Sequence, residues 1–335
     1  MTYNITENTV LLDGFARNGS HTTSGSGPVV HFDGAVPMDA ARELIGWEPL
    51  ESTGVSARIS TPEGRKWVTT TSRKLIVHPR TLQVLGDVGN GYAVHAYERT
   101  LLANAAVITD GALDVARVGT LDDGAKAFVQ YEFPESMQAG SKGAEPVEYR
   151  PFLNATTALD GSMASAYFTG SIVTVCKNTV AMALREANAL NTLVKVRHTR
   201  NSLLNVQEAR EVLGVVFQVS KEFEAEVNKL TADYVSDDEW KHFLDAFVPV
   251  SETDGRGRTV ALAKRDEFES LWNNDPRVAP WRNSAYGVLA VSNTWGQHYA
   301  TVRKVSREER TYSRLINGSI AKTDAKALQA LAAVR

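Results

Sequence analysis

Cysteine is nearly missing from this sequence: Cys176 stands alone among 335 residues. One thiol builds neither an intrachain disulfide framework nor a multi-cysteine zinc site, so neither staples the fold. Long apolar runs are missing too. A membrane-spanning helix needs roughly 18–20 consecutive apolar residues, and each candidate run is broken by Ser, Gly or a charge. No basic stretch leads into an apolar segment at the N-terminus, so no secretory signal pattern is present. A soluble protein in a reducing, cytoplasmic setting, with no membrane partner, is the expectation. An excess of either charge is also lacking. Lys and Arg number 36 against 39 Asp and Glu, a net charge of −3, which excludes a chain that is basic all over. Neither a P-loop nor a GxGxxG pattern occurs, since Gly86, Gly89 and Gly91 have the wrong spacing, and this argues against an NTPase or a dinucleotide enzyme. The seven histidines, His21, His31, His78, His95, His198, His242 and His298, form no HxH, HxxxH or HExxH arrangement. No metal and no cofactor are expected.

What is present suits a globular chain: 43% hydrophobic and 22% charged residues, with length for about two domains. Residues 1–36 are polar and Gly/Ser-rich around Asn18-Gly19-Ser20 and Ser24-Gly25-Ser26-Gly27-Pro28, and read as a flexible arm. Residues 37–204 open with a short helix from Met38 to Ile45 and continue as antiparallel sheet. Trp67 to Thr71, Lys74 to Val77, Leu82 to Leu85 and Lys126 to Tyr131 are β-branched or aromatic runs, separated by turn signals at Pro79, Gly86-Asp87 and Asp122-Asp123-Gly124. Tyr97, Leu101, Ala105 and Ile108 fall at helical spacing within Ala93 to Asp110. A loop or hairpin is expected over Gln138 to Glu145. Strands follow around Tyr149 to Thr156 and Ala166 to Val175, with Asp160-Gly161 turning between them.

Residues 205–335 read as helical. Val206, Ala209, Leu213, Val216, Phe223, Val227 and Leu230 make a heptad-like stripe, suited either to a helical hairpin within the domain or to a coiled coil between copies. Ser236 and Glu239 form a capping-box pattern ahead of Trp240, Phe243, Leu244 and Phe247, with Pro249 as the stop. Further helices are expected over about Leu262 to Trp272, Asn283 to Tyr299, Arg303 to Ile316 and from Asp324 onward. Strands first and helices second predict an α+β fold: an antiparallel-sheet-rich N-terminal half followed by a helical C-terminal half.

Charge is unevenly placed. Gly64 to Arg80 holds Arg65, Lys66, Arg73, Lys74 and Arg80 with no acid, interleaved with Trp67 and a threonine run. Lys177 to Leu204 holds Lys177, Arg185, Lys195, Arg197 and Arg200 against Glu186 alone, whereas Asn205 to Asp245 carries ten acids and four cations. Cations with an aromatic neighbour on a strand suit single-stranded nucleic acid, since phosphates need positive charge and unstacked bases need flat partners. Ordinary decoration of an exposed sheet is the other reading. Cys176, at an expected strand-to-helix junction, and His198 could form a nucleophilic pair; a small buried residue at a packed junction is the alternative. Asp122-Asp123 and Asp237-Asp238-Glu239 read as a turn and a helix start rather than as acid/base pairs.

Several segments taken together resemble a known family: Gly46-Trp47, Leu85 to Tyr92 (LGDVGNGY), Tyr149 to Leu153 (YRPFL), Leu159 to Ser162 (LDGS), Val173 to Thr179 (VTVCKNT), Val196 to Thr199 (VRHT), Val206 to Ala209 (VQEA) and Asn293 to Gly296 (NTWG). Their order and spacing over about residues 37–300 are similar to the phage/plasmid-like protein family, a domain of unknown function carried by bacteriophages, prophages and plasmids. The resemblance implies replication, recombination or host-interaction work in a mobile element, inside the host cytoplasm. The sheet-then-helix layout is also reminiscent of single-strand annealing recombinases, which assemble into rings. The expectation is therefore a homo-oligomeric protein that binds and anneals single-stranded DNA without covalent chemistry. Arg65, Lys66, Arg73 and Lys74 would hold phosphate, Lys177, Lys195, Arg197 and Arg200 would line the same groove, and Trp67 would stack on bases. Asn178 would cap the helix after Cys176, and His198 and Thr199 would orient the junction. Two other expectations compete: a host protein as partner, met by the acidic 205–245 helices, and an enzyme centred on Cys176 and His198.

Overall fold

A computed structural model describes residues 3, 5, 9–15, 29–109, 112–173, 179–180, 194–199, 220–303, 305 and 307–335. The strands are β1 (Leu11–Asp13), β2 (Val29–His31), β3 (Leu50–Glu51), β4 (Val55–Thr61), β5 (Gly64–Thr70), β6 (Arg73–Val77) and β7 (Val84–Gly89). They continue as β8 (Asp114–Leu121), β9 (Lys126–Glu132), β10 (Met137–Ala139), β11 (Val147–Ala158), β12 (Ser165–Val173), β13 (Thr179–Val180) and β14 (Val194–Val196). The N-terminal half is thus built of sheets, and the C-terminal half is mostly helical, which makes the fold α+β.

One nine-stranded sheet runs in the order β13-β12-β11-β9-β8-β1-β2, with β10 beside β11 and β14 beside β12. Every pairing in it is antiparallel except β1 with β2. Alternation along β9 sorts its two faces. Ala127, Val129 and Tyr131 join a core with the helix Met38–Ile45 and with Leu101, Leu102 and Ala105 of the helical run Glu98–Thr109, whose first part is a π-helix. Phe128 points the other way, into a smaller core closed by Tyr312, Leu315 and Ile320 of the last two helices. A third, helical core packs on the β10/β11 end of the sheet around Trp240, Phe243, Phe268, Trp272 and Val288.

The second face of the sheet also carries charge. Strand register places Asp13, Arg117, Gln130, Asn154 and Phe168 in one row across β1, β8, β9, β11 and β12. Arg117 Nε donates to Asp13 Oδ1 at 2.8 Å and its Nη1 to the Tyr312 hydroxyl at 3.1 Å. Tyr312 in turn donates to Gln130 Oε1 at 3.2 Å, and Gln130 Nε2 to Glu132 Oε1 at 2.6 Å. These bonded atoms satisfy one another, as burial favours, while the buried Asn154 side-chain amide in the same row has no hydrogen-bond partner among the described residues.

Several expectations need adjustment. The arm is not wholly loose: Leu11, Leu12 and Asp13 are buried, because β1 lies between β8 and β2, its two leucines enter the cores on opposite faces and Asp13 meets Arg117. Gly86-Asp87 is not a turn but the middle of β7. Its backbone lies so close to that of Leu159 and Asp160 that a Cβ at Gly86 would overlap the Leu159 carbonyl oxygen. The helix Arg256–Asn274 starts six residues before Leu262, its added turns being solvated rather than packed. Of the heptad-like stripe, Phe223, Val227 and Leu230 lie in a helix over 220–232 and pack within this chain's helical core; Val206 to Val216 fall outside the described residues. The capping box forms as expected, with Ser236 Oγ accepting from the Glu239 backbone and the Glu239 carboxylate accepting from the Ser236 backbone at 2.8 Å.

Candidate nucleic-acid interface

Among the described residues, strands β4 and β5 pair only with each other, as a two-stranded ribbon outside the main sheet. Arg58 stands opposite Trp67, Ser60 opposite Arg65 and Ser56 opposite Thr69. Directly opposed residues share a face of an antiparallel pair. One face of the ribbon therefore carries Arg58, Arg65 and Trp67, while Ala57, Ile59, Lys66 and Val68 take the other. Every residue of β5 is exposed, and the Trp67 indole is 70% exposed. Ser56 and Thr69 hydroxyls meet at 2.8 Å across the strands, and the Lys66 ammonium pairs with the Glu63 carboxylate in the turn. A largely exposed indole on the same ribbon face as two guanidiniums is open to a flat external partner.

Arg73 and Lys74 of that window are placed differently. Arg73 Nε donates to Asp87 Oδ1 at 2.8 Å and its Nη2 to the Asp87 carbonyl at 2.6 Å, tying β6 to β7. Lys74 is 8% exposed and its ammonium is paired with the Glu51 carboxylate of β3. Lys74 is thereby held inside the small β3-β6-β7 sheet, away from any phosphate chain, whereas Arg73, paired on that sheet's surface, stays 48% exposed. The structure thus keeps Arg65, Lys66 and Trp67 on an open surface and adds Arg58, which falls outside the basic window and becomes visible only through the strand register.

At the junction, Lys195 and Arg197 are exposed on and just after β14, whose Lys195 pairs with Ala166 of β12. His198 stacks on Tyr92 (centroids 4.5 Å, planes 8° apart) and on His95 (4.0 Å, 26°), and its Nδ1 lies 2.9 Å from the Ala93 carbonyl. His95 Nδ1 meets Ser165 Oγ at 2.7 Å, and Ser165 meets Thr157 Oγ1 at 2.7 Å. Burial, with His198 and Arg99 adding to it, pushes the His95 imidazole down to about 4. His198 is lowered by burial too, against the pull of the Ala93 carbonyl and Asp160. Both rings are neutral near pH 7. The Ser165 hydroxyl is fully buried, so this chain of hydrogen bonds fastens the segment 195–199 to β12 and to Ala93 rather than offering a nucleophile. Thr199 is exposed, its backbone N–H donating to the Arg197 carbonyl at 2.9 Å. Cys176, Lys177, Asn178 and Arg200 lie outside the described residues.

Acids of the 205–245 block have structural partners. Glu239 closes the capping box and meets Arg335 at 3.1 Å, Asp233 meets Arg335 at 2.6 Å, and Asp245 meets Arg265 at 2.8 Å. Among the described residues no three His, Cys, Asp or Glu converge as metal ligands, and no helix is long and apolar enough to cross a membrane.

Comparison with known proteins bears on the domain carrying the junction. No curated protein and no solved structure matches the chain. A family model, Domain of unknown function (DUF932), matches residues 84–316. The match takes in His95, Lys195, Arg197 and His198, and begins after the ribbon. Since it covers well over half of the sequence, the chain belongs to the DUF932 family.

Proposed function

We propose that this protein binds single-stranded DNA and promotes annealing as a homo-oligomer, with the ribbon as its main contact. The reading rests on one observation: a 70% exposed Trp67 that shares one face of an exposed ribbon strand with Arg58 and Arg65. Such a face offers a base-stacking plane with a phosphate partner on either side, without any need to read base edges. Exposed Lys195 and Arg197 supply further positive charge within the family domain. The similarity of the LGDVGNGY, VTVCKNT and VRHT segments to phage and plasmid proteins supports a setting in the replication or recombination of a mobile element, in the host cytoplasm.

The test is fluorescence anisotropy with a labelled oligothymidine. Binding is expected to be saturable at about 50 mM salt and to weaken steeply as salt rises. Trp67→Ala removes one stacking partner, about 1–3 kcal/mol, so Kd rises about 5- to 150-fold while the melting temperature stays put. Arg58→Glu with Arg65→Glu lowers the slope of log Kd against log salt by about two charges. No binding at about 50 mM salt and micromolar protein overturns the proposal. The exposed apolar residues Ile59 and Val68 on the opposite face favour a second reading, a host protein as partner. That reading predicts a partner interaction lost on Ile59→Lys and insensitive to Trp67→Ala.

A further inference from the structure

A cavity of about 730 Å³ opens where the turn ends of β8/β9 and β11/β12 meet the helix Arg307–Ile316. Sites for small ligands span roughly 300–1,000 Å³, so the space suits one. Its apolar surface comes from Leu121, Ala166 and Phe168 of the sheet. Its charge comes from both sides: Lys126 and Lys195 from the sheet, Arg310 and Arg314 from the helix, one turn apart.

Against these four cations the described residues of the lining hold a single carboxylate, Asp122, and it pairs with the Lys126 ammonium, which Asp160 also approaches at 3.7 Å. Lys195, Arg310 and Arg314 supply the rest of the positive charge, with the buried Asp324 carboxylate behind Arg314 acting on it from outside the lining. The guanidiniums meet neutral acceptors: Arg310 donates to the Ala300 carbonyl at 3.3 Å, and Arg314 to the Gly296 carbonyl at 3.0 Å and Thr323 Oγ1 at 3.2 Å. A guanidinium has five N–H donors in a fork that matches phosphate oxygens, so each retains capacity beyond these bonds. Burial lowers both Arg310 and Arg314, and for Arg310 the neighbouring Arg314 and Arg307 lower it further. Crowded, partly desolvated cations of one sign are relieved by an anion.

We infer that this cavity is a binding site for a nucleoside phosphate, with the phosphate held by Arg310, Arg314 and Lys195 and the base lying on the Leu121, Ala166 and Phe168 surface. An apolar floor beside clustered cations fits a ligand with a flat apolar body and a charged end better than it fits inorganic phosphate alone. The same chemistry has two sources, a free mononucleotide and the 5′-terminal nucleotide of a strand. None of the ribbon residues takes part, and although Lys195 serves both readings, Trp67→Ala touches the ribbon alone and Arg310→Gln the cavity alone, so the two can fail separately.

Isothermal titration calorimetry on the full chain tests it, with dAMP, deoxyadenosine and inorganic phosphate as probes. Saturable dAMP binding is expected, with deoxyadenosine and inorganic phosphate each at least about tenfold weaker. Arg310→Gln and Lys195→Glu each weaken dAMP about tenfold or more, whereas Trp67→Ala leaves it unchanged. Lys195 is solvent-exposed, so its variant remains informative if an arginine variant does not fold. In the Trp67→Ala background, a 5′-phosphorylated octanucleotide that displaces dAMP when its 5′-hydroxyl counterpart does not identifies a strand end. Displacement by neither identifies a free mononucleotide. Absence of dAMP binding up to about 5 mM, binding no tighter than that of inorganic phosphate, or binding untouched by Lys195→Glu overturns the inference.

Discussion

Replacing Arg117 by Met tests the charged row on the second face of the sheet. The Arg117 and Asp13 side chains are 11% and 8% exposed, and their 2.8 Å contact is extended by Tyr312, Gln130 and Glu132. Met fills a similar volume, so the loss is electrostatic: two buried carboxylates, Asp13 and Glu132, lose the cation between them. Breaking a buried pair from one side costs about 3–5 kcal/mol, mostly from the charge left behind. Urea unfolding followed by tryptophan fluorescence at pH 7 measures it. The sign with pH is also fixed. Burial raises the Glu132 carboxyl above the ordinary carboxylate range while Arg117 pulls it down. A raised folded-state value means that the group favours the fold when protonated and that this advantage is lost as pH rises through that value. Without Arg117 the value rises further, so the deficit is largest at neutral pH and shrinks as pH falls through the folded-state value. Adding Asp13→Asn and Glu132→Gln to Arg117→Met removes the orphaned charges and restores most of the loss. Because Tyr312 sits in the same helix as Arg310 and Arg314, Arg117→Met also weakens nucleotide binding in the cavity. A cost below about 1 kcal/mol at pH 7, the scale of a surface pair, refutes the reasoning.

Local signals carry the secondary structure but not the placement of charge. The runs at Lys126 to Tyr131 and Trp67 to Thr71 and the Ser236/Glu239 pair each act within a few residues, so strands and a cap are legible without tertiary knowledge. The fate of Lys74 is not, because its partner Glu51 sits 23 residues earlier on another strand. Arg58 joins Trp67 through a register set by the Pro62-Glu63 turn, and no window scan for cations finds it. Arg310 and Arg314 are visible as two charges one helical turn apart, which ordinarily marks a solvated face; the apolar wall that turns them into a cavity comes from strands some 150 residues away. Leu11 and Leu12 are hidden by the Gly/Ser-rich surroundings that make the rest of the arm look loose, and a three-residue strand gives too short a pattern to register.

The remaining predictions concern packing and protonation. Gly287 lies in the helix Ala285–Thr294, where an added Cβ would overlap the Trp281 carbonyl oxygen and press on the Trp272 ring at 3.1 Å. Gly287→Ala is therefore expected to destabilise by about 1–3 kcal/mol, despite its better helix propensity, because a backbone oxygen cannot swing aside; a gain in stability by urea unfolding refutes that. His95 supplies the last prediction. In the fold its value drops from 6.5 to about 4, chiefly through burial, with His198 stacked at 4.0 Å and Arg99 nearby adding repulsion to the charged form. In the unfolded chain the ring titrates near 6.5. Between these two values the unfolded state binds a proton that the folded state does not, so the contribution is fully present above about pH 6.5 and is lost as pH falls toward about 4. The ring remains partly solvated, which screens the effect and keeps it smaller than the shift alone suggests. Proton NMR of the His95 ring should show a midpoint near 4, and His95→Gln should flatten the acid side of the stability profile. A midpoint near 6.5 means that the ring is solvated and the stack with His198 open, and with it goes the argument that the 195–199 segment is fastened to the sheet through neutral histidines.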